Sequence, residues 1–147
     1  MYGTRVQLFA ELLARSCFSF LDGGSHPAEM VLRASELGLR AIGLCDRDGF
    51  YGLARAHAEE KRLAAEGSTV RLLPGAELPV LVRGRLRSIA FVVASREGYQ
   101  NLSRLVTLAH RDVPKGTARL ALDHLQAHAG GLFALLPAPY DERVVGP

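Results

Sequence analysis

Residues 40–49 read RAIGLCDRDG. The first six form a short, nearly continuous apolar run, the pattern of a strand buried on both faces. It passes without a spacer into a loop carrying Asp46 and Asp48. On its amino side lies a helical pattern: Ser25 suits an N-cap, Pro27 the first turn, and Ala28, Val31, Leu32 and Leu37 an apolar face closed by Gly38. On its carboxyl side a second helix is predicted from Phe50 to Glu66, stopped by Gly67. A strand between two helices is the repeating unit of an α/β fold with parallel pairing and right-handed crossovers.

The same alternation extends outward. VQLFAELLA (Val6 to Ala14) reads as the preceding strand and TVRLLPGAELPVLV as the following one. The chain then turns at Gly84 and returns through SIAFVVA. From Ser95 a helix carries Tyr99, Leu102, Leu105, Val106 and Ala109 at helical spacing. A short helix around Leu122 to Ala129 leads to GLFALL as the last strand, and PAPYDERVVGP has lost periodicity. About five strands are too few for an eight-stranded barrel, which takes about 250 residues. The expected class is therefore α/β, either a small open domain or the first part of a barrel with mostly parallel strands. Residues 1–137 make up that domain and 138–147 a linker or truncated end.

The chain has 147 residues, 48% hydrophobic and 22% charged, enough to bury a core without staples. Its two cysteines, Cys17 and Cys45, form neither a disulfide framework nor a zinc cluster. No apolar run is long enough to span a bilayer, and the amino terminus lacks a secretory signal, so a soluble cytoplasmic protein with no membrane partner is expected. A net charge of +3 permits contact with nucleic acid without indicating it. Arg83, Arg85 and Arg87 in LVRGRLRSIA would form a basic stripe if all three lay in one strand; the alternative is a solvated hairpin.

Polar groups fall at predicted strand ends in three places. One is the loop from Arg15 to Gly24, with Arg15, Ser16, Cys17, Ser19 and Asp22; the others hold Asp46 and Glu77. Two carboxylates brought together by parallel strands hold a divalent metal when imidazoles complete the shell. All five histidines, however, lie on predicted helices. His124 and His128 have the spacing of a helical metal pair without the glutamate of H-E-x-x-H, and His26 beside an N-cap reads as a surface residue. Cys17 and Cys45 would be nucleophiles only with a base nearby, which no sequence feature supplies. LDGGSHP lacks the lysine and spacing of a phosphate-binding loop.

The order of three segments nevertheless carries a resemblance. ARSCFSFLDGGSHPAEMVLRASELGLRAIGLCDRDGFYGLARAH, PGAEL and SREGYQNLSRLVTLAHRDVPKG resemble the amino-terminal PHP (polymerase and histidinol phosphatase) domain of bacterial C-family DNA polymerases, the III alpha subunits, and within them the error-prone, translesion branch. The resemblance runs from about Gln7 to Pro137. It implies the amino-terminal portion of a distorted (β/α)₇ barrel that binds up to three metal ions at its strand ends. The family's His-x-His motif falls on Leu13, Ala14 and Arg15, so both imidazoles are missing. Its Asp-His motif falls on Asp46 and Arg47, its glutamate on Glu77, and a histidine found in some relatives on Ser88.

Leucine cannot bind a metal, and a guanidinium has no lone pair to donate. Arg15 and Arg47, if directed inward, would place positive charge beside Asp46 and Glu77 and pair with them; the alternative is that they point to solvent. The resemblance thus implies a degenerate metal site at Leu13, Arg15, Asp46, Arg47 and Glu77, no cofactor in this chain and no catalytic residue in it. The parent would be a DNA-directed DNA polymerase acting in damage tolerance, with magnesium at a palm absent here. Its partners would be the rest of the polymerase chain, DNA, a sliding clamp and mutagenesis accessory proteins. Two other readings stay open: an active phosphoesterase or 3′–5′ exonuclease using manganese or zinc, and a free-standing binding module. Unpaired strand edges would also permit self-association.

Overall fold

The computed structural model describes residues 9–136. The element order is β1 (Ala10–Ala14), α1 (Pro27–Glu36), β2 (Ala41–Arg47), α2 (Leu53–Ala65), β3 (Arg71–Val82), β4 (Arg85–Val93), α3 (Arg96–His110), β5 (Leu120–Ala121), α4 (Leu122–Ala127) and β6 (Leu132–Leu135). One sheet runs β1-β2-β3-β4-β6, and β5 pairs with β3. The β1–β2, β2–β3 and β3–β5 pairs are parallel; β3–β4 and β4–β6 are antiparallel. The result is a curled half-barrel, the second of the two α/β alternatives read from the alternation of strands and helices.

β3 organises this sheet because it is long. Its first seven residues pair with β2, and Val80 and Leu81 continue past the end of β2 to meet β5. Its other edge is taken by β4 from Gly75 to Val82. The hairpin closes through Arg83 (φ 49°) and Gly84 (φ 75°), two consecutive left-handed residues that suit the twist of the flanking strands. Only Arg85 and Arg87 therefore share a strand face, and Arg83 lies in the turn. All three are exposed.

Two apolar layers hold the helices to the outer face of the sheet. Ala76, Leu78, Val80, Ile89 and Phe91 pack with Leu102, Leu105 and Ala109 of α3 and with Leu120. Ile42, Leu44 and Leu72 pack with Val31 and Ala34 of α1 and with Ala56 and Leu63 of α2. The amphipathic stripe of α3 read from the sequence holds at Leu102, Leu105 and Ala109, with Val106 partly buried, whereas Tyr99 is exposed; Ser95 is the N-cap and accepts from the Gly98 N–H at 3.1 Å. In α1 the N-cap is His26, with Pro27 first in the helix, and Leu37 lies exposed beyond its end. Close backbone approach fixes α3 against β6: a Cβ on Gly98 would stand 1.8 Å from the Gly131 carbonyl oxygen.

Several predicted boundaries shift. The described part of the first strand begins at Ala10, α2 begins at Leu53, and β5, two residues long, has no signature in the sequence. The predicted linker, 138–147, lies outside the described residues. β1 and β6 are the outermost strands of the sheet among the described residues. Leu102 is fully buried between α3 and the sheet. Leu102→Ala is expected to lower unfolding free energy in a urea titration by about 2–5 kcal/mol, the usual cost of emptying such a position.

Candidate functional site

The carboxyl ends of β1 and β2 and the middle of β3 converge on the loop from Arg15 to Gly24. β2 runs two residues further than its apolar stretch, so Asp46 and Arg47 are strand residues and not loop residues. In the register Asp46 stands beside Ala76 and Arg47 beside Glu77. Alternation along a strand then sends Asp46 to the helix-covered face, with Ala76, and Glu77 to the concave face. This corrects the expectation that parallel strands bring the two carboxylates together as a pair. The period of two separates them.

Each carboxylate is satisfied on its own side. Asp46, 1% exposed, accepts from the Ser16 N–H at 2.8 Å, from the Ser16 hydroxyl at 2.8 and 2.9 Å, and from the Ser19 hydroxyl at 2.8 Å. The Ser19 Oγ in turn accepts the Arg47 N–H at 3.1 Å. The carboxylate thus pins the loop after β1 to the end of β2. Gly52 is required beside it, because a Cβ there would lie 2.7 Å from Asp46 Oδ2 and 3.0 Å from Ser16 Oγ.

Glu77, 5% exposed, accepts from Arg15 Nε at 2.7 Å, from a second guanidinium nitrogen of Arg15, and from the Ser88 hydroxyl across the hairpin. Asp22 links the two arginines, standing 3.1 Å from Arg15 Nη1 and 3.1 Å from Arg47 Nη2. The chain of charges is therefore Glu77–Arg15–Asp22–Arg47. Arg15 turns inward as one sequence alternative had it. Arg47 is half-exposed and pairs with Asp22, so Asp46 receives serines in place of the anticipated arginine. Asp22 was visible in the sequence as a loop acid, but its bridging role depends on how that loop folds.

These residues do not fit a metal. Both oxygens of each carboxylate are already taken by donors, Leu13 offers no lone pair, and Arg15 puts a cation where a ligand would stand. Among the described residues no three His, Cys, Asp or Glu side chains gather in a group that could hold an ion. His124 lies on α4, and His128 caps its end in a different backbone conformation, so the two are not a regular helical pair.

Two ionisable groups near the site are displaced from their usual ranges. Burial, followed by the charge of Glu77, pushes the Cys45 thiol up to about 12. Burial also raises Asp48, against the opposing influence of His110 and Arg47. The His110 Nε2 lies 2.8 Å from the Asp48 carbonyl oxygen, and Asp48 itself has φ 60°.

A PHP domain family model matches residues 11–143. The chain belongs to the PHP domain family. Relatives of this PHP domain include error-prone DNA polymerases from Anaeromyxobacter sp. (strain K), 46% identical over 92% of this chain, and from Bdellovibrio bacteriovorus, 35% identical over 95%. The chain spans 12% and 14% of the length of those two relatives. Among solved structures, a protein assigned as a metal-dependent phosphoesterase from Bifidobacterium adolescentis superposes with TM-score 0.54 and 18% identity. It covers 70% of this chain and 33% of its own, a likeness of fold. No described helix of the PHP domain is long and apolar enough to cross a membrane.

Removing one partner of a buried ion pair leaves the other charge uncompensated, at a cost of about 3–5 kcal/mol when both are fully buried. Arg15 is a quarter exposed, so Arg15→Met is expected to destabilise by somewhat less. The double variant Arg15→Met with Glu77→Leu should recover most of the loss, measured as a double-mutant cycle in urea.

Asp48→Asn should stabilise at neutral pH. It keeps a residue type that tolerates positive φ and removes a charge that burial disfavours. Because the folded value lies above 3.8, the wild-type penalty is present at high pH and disappears as pH falls through that raised value. The difference in Tm between variant and wild type should therefore shrink on acidification and close below about pH 4.

Proposed function

We propose that this chain is a structural, non-catalytic PHP domain of an error-prone DNA polymerase that works in damage tolerance. The observation that carries the reading is the Arg15 guanidinium seated on Glu77, where the family's metal chemistry would need a free carboxylate beside imidazoles. In metal-dependent phosphoesterases the ion generates the nucleophile, so losing its ligands removes the reaction. What remains is a tie between strand ends.

The relatives named as error-prone DNA polymerases, and the small share of their length that this chain spans, support its place within a longer polymerase polypeptide. In this reading DNA synthesis, its magnesium ions and the contacts with DNA, a sliding clamp and mutagenesis accessory proteins belong to other parts of that polypeptide. The PHP domain contributes a rigid body for them to pack against, in the cytoplasm.

The test is elemental analysis of chain purified without chelator, together with nitrophenol release from a phosphodiester in added manganese. Metal well below one equivalent, and turnover no higher than that of Asp46→Ala, are expected. A stoichiometric ion with turnover abolished by Asp46→Ala or Glu77→Gln would establish the phosphoesterase reading in its place.

A further inference from the structure

We propose that Cys17 and His26 form a nucleophile–base pair, making Cys17 a site of covalent modification by thiol–disulfide exchange with small-molecule disulfides. The Cys17 sulfur lies 3.4 Å from His26 Nδ1, the one base within hydrogen-bonding reach of this thiol among the described residues. Both residues are open to solvent, Cys17 partly buried and His26 exposed.

The pair is held from both ends of the loop that separates its members. The Cys17 N–H donates to the Ser25 carbonyl at 2.8 Å, so the two arms of the loop meet just beside the two side chains. Ser16 and Ser19, on either side of Cys17, are anchored to buried Asp46. His26 is the N-cap of the ten-residue helix α1, and its own N–H donates to Glu29 Oε2 at 3.0 Å. A nucleophile and base set on rigid supports require little reorganisation before reaction.

The second thiol supplies the contrast. Cys45 is 1% exposed, its sulfur directed at the carbonyls of Leu12 (3.4 Å) and Phe91 (3.9 Å), and its ionisation is suppressed by burial. Nearby in the chain, Arg15 pairs with Asp22 on the same loop and Asp46 of β2 accepts from the Ser16 N–H.

In the exchange, the thiol proton passes to His26 Nδ1 and the Cys17 sulfur attacks one sulfur of the disulfide RS–SR. A Cys17–S–SR bond forms as the RS–SR bond breaks, and the departing thiolate takes up the proton to leave as RSH. The incoming disulfide is the only co-reactant and is the species reduced; Cys17 is oxidised to the mixed disulfide.

The test uses the full 147-residue chain and dithiobis-nitrobenzoate as the disulfide probe, at neutral pH, with released thiolate followed by absorbance. One equivalent should react faster than an unstructured cysteine peptide, and the second only after denaturation. Cys17→Ser should abolish the fast phase. His26→Asn, which retains a good N-cap residue, should slow it by about tenfold or more, the scale of a positioned base. Three results would each overturn the proposal: a native rate no higher than that of the peptide, a fast phase surviving Cys17→Ser, or an unchanged rate in His26→Asn. The peptide comparison decides the matter even if His26→Asn fails to fold. None of these readings depends on whether the domain is catalytic.

Discussion

The ion pair between Arg15 and Glu77 is the constraint on which the rim of this half-barrel depends. It joins the loop after β1 to the middle of β3, 62 positions apart in the chain. A buried glutamate on the concave face would otherwise be an uncompensated charge, a state costly enough to reorganise the strand ends. With the guanidinium seated there, and the Ser88 hydroxyl on the other oxygen, the acid is satisfied by groups the fold already brings close. Asp22 then extends the network outward to Arg47 at the solvent boundary.

Asp46 does parallel work on the opposite side of the sheet. Its serine ligands are neutral, so it fixes the loop by hydrogen bonds alone and needs no cation. The two carboxylates are divided between two local structures, one on each face of the sheet. That division, together with the chemistry of arginine, is the physical basis for reading the domain as a scaffold.

Much of the fold was legible because periodicity reports burial. The stripe on α3, the fully apolar run of β2 and the glycine-marked hairpin at Arg83 and Gly84 were all visible in the residues. β5 was not, since two residues have no period and their pairing exists only because β3 outruns β2. Glu77 lies in mid-strand, inside the run TVRLLPGAELPVLV read from the sequence, and not at a strand end. Motif spacing located Arg15, Asp46, Arg47 and Glu77, but spacing along the chain does not say which face of a strand a residue occupies. One residue of register decides that, and it sent Asp46 and Glu77 apart. The pairings of Asp22 with Arg47 and of Cys17 with His26 were beyond reach for another reason: both depend on the folded path of a loop that local propensity does not determine.

The central claim is that arginine has taken the metal's place at the strand ends, and thermal unfolding of the chain in excess manganese and in excess chelator tests it most directly. A ligand that binds the folded state at a hundred times its Kd stabilises it by about 2.7 kcal/mol, a shift easily resolved in a domain of this size. The account predicts the same Tm in manganese and in chelator. A Tm raised by manganese in the wild type, and not raised in Glu77→Gln, would contradict it.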